Sequence, residues 1–372
     1  MPRKPAPRSI RPMRKTQEMS RRDRVGNRSC RMQISILCIV MGIRGAIFTR
    51  RALRFVALFL LLCSASTVHA RPFAPAPPPL GAGIVPNAMY IEPDNGEKSL
   101  LRLLNHAQQS IELAAYILTD RSLTRALERA AAQGLDVHVM LEPHPFGMGS
   151  QPSREADALQ AAGVSVRWSR PGFVYTHAKY LVIDDRTTVI STANFSRSAF
   201  TSNREVMVVT RERRMVREIS NLFREDWDRI PAHLQDANIL IAPDGARQQL
   251  NSLLAHAHHE ILIYQEEFRD ASIERQLVSL AGKGITLRIL LPSSASLPAD
   301  AQHLGIRTLN KPYIHAKVII VDRTEAFVGS ENFSTTSLDH NRELGVLIRG
   351  AAVGKLVGVF QEDWQRAGAS SR

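Results

Sequence analysis

The sequence predicts an α/β protein of two tandem lobes, each a mixed β-sheet flanked by helices, the pair related by pseudo-twofold symmetry. Three observations predict it. The chain repeats itself: QSIELAAYILTD (109–120) matches HEILIYQEEFRD (259–270), and GLDVHVML (134–141) matches GITLRILL (284–291), both at an offset of 150. Each copy alternates Val/Ile/Leu-rich runs with segments of helical spacing, the pattern of a layered sheet covered by helices. A short polar constellation also recurs in both copies, at an offset of 138. Repetition at this length means paired lobes rather than a solenoid of small units.

The first 70 residues stand apart. They hold 15 Lys and Arg against 2 Asp and Glu, which accounts for the whole formal charge of +13, while residues 71–372 hold 33 of each sign. Net charge therefore gives no support for a nucleic-acid partner. Arg44, Arg50, Arg51 and Arg54 flank the apolar run 55–62, and Val68-His69-Ala70 closes the segment. That order is expected of a signal peptide, and the run is too short to span a bilayer. Met41 lies where an initiator for such a signal is expected. The expected location is therefore periplasmic or extracellular. Cys30, Cys38 and Cys63 all lie in this leader, so the mature chain has no disulfide, thiol nucleophile or cysteine zinc site.

Residues 71–86 (RPFAPAPPPLGAGIVP) read as a Pro-rich extended linker. The first lobe is placed at 87–235. Runs 111–118, 136–141, 180–183, 188–191 and 206–209 read as buried strands, continuous in apolar character because both faces are covered. Segments 97–108, 121–133 and 215–229 read as helices, with Gly134 stopping the second. The boundary falls at 230–236, where Pro231 follows a helix, and the second lobe is placed at 236–372. The first copy carries a 12-residue surplus between Leu141 and His177, including HPFGMGSQPS (144–153). Such a loop is where substrate contacts are commonly carried, and its apolar members Phe146 and Met148 either pack the loop, the favoured reading, or touch lipid acyl chains.

The recurring constellation carries the chemistry. His177-Ala-Lys179-x4-Asp184 is followed by Asn194 and Glu205; His315-Ala-Lys317-x4-Asp322 is followed by Asn332 and Glu343, with every interval identical. His and Lys two apart on a strand share a face. One neutral imidazole can attack phosphorus while a second, protonated one donates to the leaving oxygen. Equivalent histidines take opposite roles only if they meet across an interface between the copies. Lys179 and Lys317 supply fixed positive charge for phosphoryl oxygens, Asn194 and Asn332 amide donors, and Thr192 and Ser330 hydroxyls. Glu205 and Glu343 are suited to accept the other imidazole N–H. No metal site is read, because lysine does the cationic work, and no cofactor is expected. Tyr175 and Tyr313, two residues before each His, line the entrance or pack. Trp227 and Trp364 read as helix-to-core anchors, and His256, His258 and His259 as solvated surface.

These residues resemble the phospholipase D superfamily, whose doubled signature runs H-x-K-x4-D-x6-G-S-x-N. The resemblance covers essentially the whole mature chain. It implies a two-lobed fold with a central seam, a phosphohistidine intermediate and no required metal. It also implies His177 as nucleophile, His315 as general acid, and Asp184 and Asp322 as structural motif residues. One departure is visible: Ser191-Thr192 stands where Gly-Ser is usual, which puts the close packing of the glycine in doubt. With export and a neutral mature chain, the expected activity is hydrolysis of a phospholipid head-group ester. The alternatives are an endonuclease, or a phosphatidyltransferase of the cardiolipin synthase kind. The expected partners are a phospholipid or other phosphodiester and a membrane surface, with nucleic acid less favoured. Two motifs in one chain remove the need for an obligate protein partner.

Overall fold

The computed structural model describes residues 80–298 and 304–369. The leader, its cut after Ala70, Met41 as a start and the linker up to residue 79 lie outside the described residues. In chain order the first lobe runs β1 (Ala88–Glu92), α1 (Lys98–Asn105), β2 (Ser110–Ala115), α2 (Arg121–Ala132), β3 (Asp136–Leu141) and α3 (Gln151–Ala161). It continues with β4 (Ser165–Trp168), β5 (Tyr180–Ile183), β6 (Thr187–Ser191), α4 (Arg197–Thr201), β7 (Asn203–Thr210) and α5 (Arg213–Asp228). The second lobe runs β8 (Ile239–Ala242), α6 (Ala246–Ala255), β9 (Glu260–Tyr264), α7 (Ala271–Gly282), β10 (Thr286–Leu291) and β11 (Ile306–Thr308). It ends with β12 (Tyr313–Ile314), β13 (Lys317–Val321), β14 (Glu325–Gly329), α8 (Thr335–His340), β15 (Glu343–Arg349) and α9 (Ala351–Ala369).

Both sheets are mixed. The first has the order β1-β7-β6-β5-β2-β3-β4 and the second β11-β10-β9-β13-β14-β15-β8. In each, the first three βα units pair in parallel (β2-β3-β4, β9-β10-β11) and the hairpins after them in antiparallel. Each sheet packs one face on its own helices, around Leu123, Leu127 and Leu159 in the first lobe and Leu250, Leu253 and Leu277 in the second. The other two faces share one core, in which Val182, Val208 and Ile219 join Val318, Val346 and Phe360. Covering on both faces explains why the strand runs are apolar throughout.

The duplicated turns explain the duplicated elements. Asp120 and Asp270 cap α2 and α7, each carboxylate accepting the backbone N–H groups two and three residues on. Gly134 and Gly284 then take φ of +88° and +91° just past those helices, a conformation that costs glycine nothing. Helix α1 stops at Asn105, short of residue 108. The reason is Asp184, whose carboxylate takes the N–H groups of Gln108, Gln109 and Ser110 and turns the chain into β2. Strand β2 likewise stops at Ala115 rather than 118, because its pairing ends at Ala114↔Tyr180 with β5 and at Ala115↔Leu141 with β3. Within the surplus region, α3 is a helix the sequence reading did not place.

The end of the Pro-rich segment is not a free spacer. Ile84 exchanges hydrogen bonds with β15, its N–H donating to Leu347 O at 2.9 Å and its carbonyl accepting from Arg349 N at 2.8 Å. Gly83 N–H donates to Asn238 Oδ1. Residues 80–86 thus pack on the second lobe before the chain enters the first.

Candidate active site

The two lobes exchange strands at the place where the motifs begin. Short strand β12, which leads into His315, pairs in parallel with β7 of the other lobe, Tyr313↔Asn203 and Ile314↔Arg204. The reciprocal bridge joins Thr176 to Arg342, and the N–H groups of His177 and Ala178 donate to Arg342 O at 2.8 and 2.9 Å. Each motif histidine is therefore positioned by the other copy.

The carboxylates complete the crossing. His177 Nδ1 lies 2.8 Å from Glu343 Oε2, and His315 Nδ1 lies 2.6 Å from Glu205 Oε1. With Nδ1 held in this way, Nε2 is the nitrogen presented for chemistry. Glu343 is fixed in turn by Ser337 Oγ at 2.5 Å and Asn341 Nδ2 at 2.9 Å. Lys317 Nζ donates to His315 O and to Glu266 Oε2, each at 2.7 Å. Lys179 Nζ donates to His177 O and lies 5.0 Å over the Tyr116 ring.

Burial sets the protonation of the first half. It pushes His177 down to about 4 against the pull of Glu343, helped by the charges of Lys179 and Lys317, so this imidazole is neutral at physiological pH. Burial also pushes Lys179 down to about 7, with Glu343 opposing it. Glu343 is held below the usual carboxylate range: burial works against this, but the His177 contact and the Lys179 charge outweigh it.

The remaining predicted residues divide. Neither Asn194 nor Asn332 has a side-chain hydrogen-bond partner among the described residues, and both Oδ1 atoms are buried. The hydroxyls require a correction. Thr192 Oγ1 donates to Glu205 Oε2 at 2.6 Å and accepts from Val206 N, so it steadies the carboxylate that holds His315. Ser330 Oγ accepts from Leu344 N at 3.0 Å. Both are committed within the protein rather than free for phosphate. Asp322 takes the N–H groups of His258, His259 and Glu260, as Asp184 does in its own lobe. With φ of +55° and +49° at Asp184-Asp185, and +48° and +59° at Asp322-Arg323, these are tight hairpin turns remote from the imidazoles.

The departure at Ser191 has a packing explanation. A Cβ on Gly329 would lie 2.3 Å from Glu331 Oε2 and 2.5 Å from Phe327 Cζ. In the first copy the corresponding neighbours are Ala193 and Val189, which leave room for the Ser191 side chain. Its hydroxyl accepts from Ala193 N at 2.9 Å.

Three further features escaped the sequence reading. Arg204 and Arg342, each one residue before a site glutamate, are buried and cross the seam to Asp363 and Asp226. Those aspartates belong to a Glu-Asp-Trp tripeptide that stands at 225–227 and recurs at 362–364. Tyr116 packs edge-on against His177, ring centroids 4.6 Å apart, and Tyr175 packs on Tyr116. Glu266 lies against Lys317 and His315. Trp227 and Trp364 stack on Phe223 and Phe360 at the shared core. A surface cavity of about 710 Å³ beside Asp94, Arg121 and Arg197 is lined by none of the motif residues. Among the described residues no group of three or more His, Cys, Asp or Glu is arranged to hold a metal ion.

Fold and site together define a duplicated α/β protein with paired His–Lys groups at the seam of its lobes. The chain belongs to the phospholipase D superfamily: the family described as "Cardiolipin synthase, PLD-like domain" matches residues 100–227 and 250–364. It is 29% identical over 148 residues to the mitochondrial cardiolipin hydrolase of Danio rerio, 38% of this chain and 63% of that protein. It is 32% identical over 129 residues to the cardiolipin synthase of Listeria welshimeri, 34% of this chain and 26% of that protein. The chain thus spans less than two thirds of either relative. Among solved structures it is similar to the phosphatidylserine synthase of Haemophilus influenzae, with a TM-score of 0.57 and 13% identity over 75% of this chain and 86% of that one. It is also similar to the polyphosphate kinase of Porphyromonas gingivalis, with a TM-score of 0.61 and 18% identity over 74% and 49%. At these identities the structural likeness speaks to the fold alone.

Proposed function

We propose that this chain is a phospholipid phosphodiesterase that forms a phosphohistidine on His177 and passes the phosphatidyl group to an alcohol, water being the competing acceptor. The observation that carries the two-step chemistry is the crossed pairing of His177 with Glu343 and His315 with Glu205. Neither lobe has a complete pair by itself.

In the first step His177 Nε2 forms the P–N bond while the P–O bond to the leaving alcohol breaks, and His315 supplies that oxygen with a proton. Lys179, Lys317 and the amides of Asn194 and Asn332 hold the phosphoryl oxygens. In the second step an incoming hydroxyl loses its proton to His315 and its oxygen displaces His177 from phosphorus. Hydrolysis and transfer share the first step and differ only in the acceptor. Sequence reading put hydrolysis first. The family description and the Listeria relatives carry the name of a synthase, and they move transfer ahead of it.

The test offers purified protein phosphatidylglycerol vesicles. Transfer yields cardiolipin and glycerol, whereas hydrolysis yields phosphatidic acid and glycerol. Cleavage of single-stranded DNA offered in parallel, with phosphatidylglycerol untouched, would overturn the reading. Export through the 1–70 leader is a separate proposal, tested by the N-terminal sequence of protein recovered outside the cytoplasm.

A further inference from the structure

The two halves of the site are copies, yet at one position they differ in charge. Residues 116 and 266 are equivalent in the repeat, just past β2 and β9; the first is Tyr and the second Glu. Tyr116 gives His177 an aromatic edge. Glu266 gives His315 a second carboxylate: its Oε2 lies 3.3 Å from His315 Nε2 and 2.7 Å from Lys317 Nζ. His315 therefore stands between two carboxylates, one near each ring nitrogen, an arrangement that favours the imidazole carrying both protons over the neutral ring. His177 has a carboxylate on Nδ1 alone, and its Nε2 has no hydrogen-bond partner among the described residues.

We propose that Glu266 is the positioning residue that divides the labour between the two histidines, holding the transferable proton on His315 Nε2 and leaving the Nε2 lone pair of His177 free to attack. The proposal rests on the two-step reading above and adds to it the group that breaks the symmetry. The Glu266 side chain is 28% exposed, so it has room to yield its place to the leaving oxygen as substrate docks. The proton then moves from His315 Nε2 to that oxygen as the P–O bond breaks and the P–N bond to His177 forms. When the incoming hydroxyl attacks, its proton returns to His315 Nε2 and Glu266 holds it again. The charges of His315 and Lys317 keep Glu266 itself ionised, well below the usual carboxylate range despite its burial.

The experiment compares Glu266→Gln with the unaltered protein on two lipids that differ only in leaving group, phosphatidylglycerol and phosphatidyl-p-nitrophenol. Nitrophenolate leaves without a proton. The expected result is a fall in kcat on the order of 10²-fold for phosphatidylglycerol, the lower end of a general acid's contribution, against less than about threefold for the nitrophenyl ester. Glu266→Ala should show the same split. Equal losses on both lipids, or no loss on either, would overturn the proposal. The two-step reading is checked apart from it, by mass spectrometry of the unaltered protein quenched during turnover. A phosphatidyl adduct on His177 is expected, and an adduct found only on His315 would overturn the assignment of roles. Turnover with no histidine adduct would sink the two-step reading and the proposal with it.

Discussion

His177 of the first lobe and Glu343 of the second meet at 2.8 Å, Nδ1 to Oε2. The other oxygen of Glu343 accepts from Ser337 Oγ and Asn341 Nδ2, which fixes how an amide would sit in its place. In Glu343→Gln the amide oxygen must serve those two donors, so its NH₂ faces His177 Nδ1. That forces the tautomer with the proton on Nε2, where the lone pair is needed. The expected outcome is a fall in kcat on the order of 10²–10⁴-fold, as when an orienting carboxylate becomes an amide elsewhere. Steady-state kinetics on phosphatidyl-p-nitrophenol, with an unchanged far-UV spectrum, measure it. Retention of more than a tenth of kcat would show that the pair does not set the tautomer.

The pH profile follows from two buried groups. In the proposed two-step reaction His177 must be neutral to attack, and with its pKa near 4 it becomes competent as pH rises through that value. Lys179 must be protonated to hold a phosphoryl oxygen, and with its pKa near 7 it loses that charge as pH rises further. The kcat/KM profile should be a bell with limbs near 4 and 7, both read from free enzyme. Lys179→Arg should move the alkaline limb to higher pH, since a guanidinium does not titrate there. A limb that persists unchanged in that variant belongs to another group.

The two seam-crossing ion pairs differ in quality. Arg204 grips Asp363 through two nitrogens, Nε at 2.7 Å and a terminal nitrogen at 3.0 Å, and also reaches Glu92 O and Asp94. Arg342 meets Asp226 through one contact at 3.1 Å, leaving its Nε and Asp226 Oδ2 without partners. Removing one partner of a buried pair costs about 3–5 kcal/mol, because the other charge is stranded. Arg204→Met should sit in that range and Arg342→Met below it, as read by urea denaturation. The reverse order would mean that packing rather than charge decides.

How much of this was legible in the sequence follows from what the duplication does and does not carry. Identical intervals after His177 and His315 revealed the paired constellation, and the apolar runs located the sheets. The crossing of Glu343 to His177 was not legible, because a repeat fixes what is equivalent and not which copy touches which. Arg204 and Arg342 were hidden for the same reason: their aspartates lie in the other lobe. Glu266 was hidden differently. It breaks the repeat, aligning with Tyr116, and a search for identities passes over such positions. The hydroxyls of Thr192 and Ser330 looked like free donors until their backbone and carboxylate partners were seen.

Gly329 and Ser191 hold equivalent positions with opposite tolerance. A methyl on Gly329 meets Glu331 Oε2, Phe327 and the Gly345 backbone, all under 3 Å. Glu331 is fully buried, and burial pushes its carboxyl well above the usual carboxylate range. Gly329→Ala should cost about 1–3 kcal/mol through overpacking, with activity falling because Ser330 and Asn332 shift with the strand end. Ser191→Gly should cost less than about 1.5 kcal/mol, since it gives up only the local hydroxyl bonds to Ala193 N and Ala193 O. Thermal melts of the two variants decide; equal losses would remove the size exchange as the explanation.

The loop from Glu142 to Ser150 ties an exposed aromatic to the His177 half of the candidate site. Phe146 is 82% exposed, while its N–H donates to Tyr116 Oη at 2.7 Å, and Tyr116 rests against His177. Glu142 anchors the loop from the other side, accepting from Thr176 N at 2.7 Å, one residue before His177. Val174, three residues before His177, is also exposed. An apolar side chain held out in water this close to a phosphodiester site is suited to enter the acyl region of a lipid surface. Burying a Phe side chain contributes about 1.5–3 kcal/mol, which is roughly 10- to 100-fold in apparent affinity. Phe146→Ser keeps the backbone N–H, so the Tyr116 tether is unaffected. It should raise the apparent KM on phosphatidylglycerol vesicles by that factor and leave a short-chain, monomeric phosphodiester within about twofold. Equal changes on the two substrates would place Phe146 in loop packing and take it out of membrane contact.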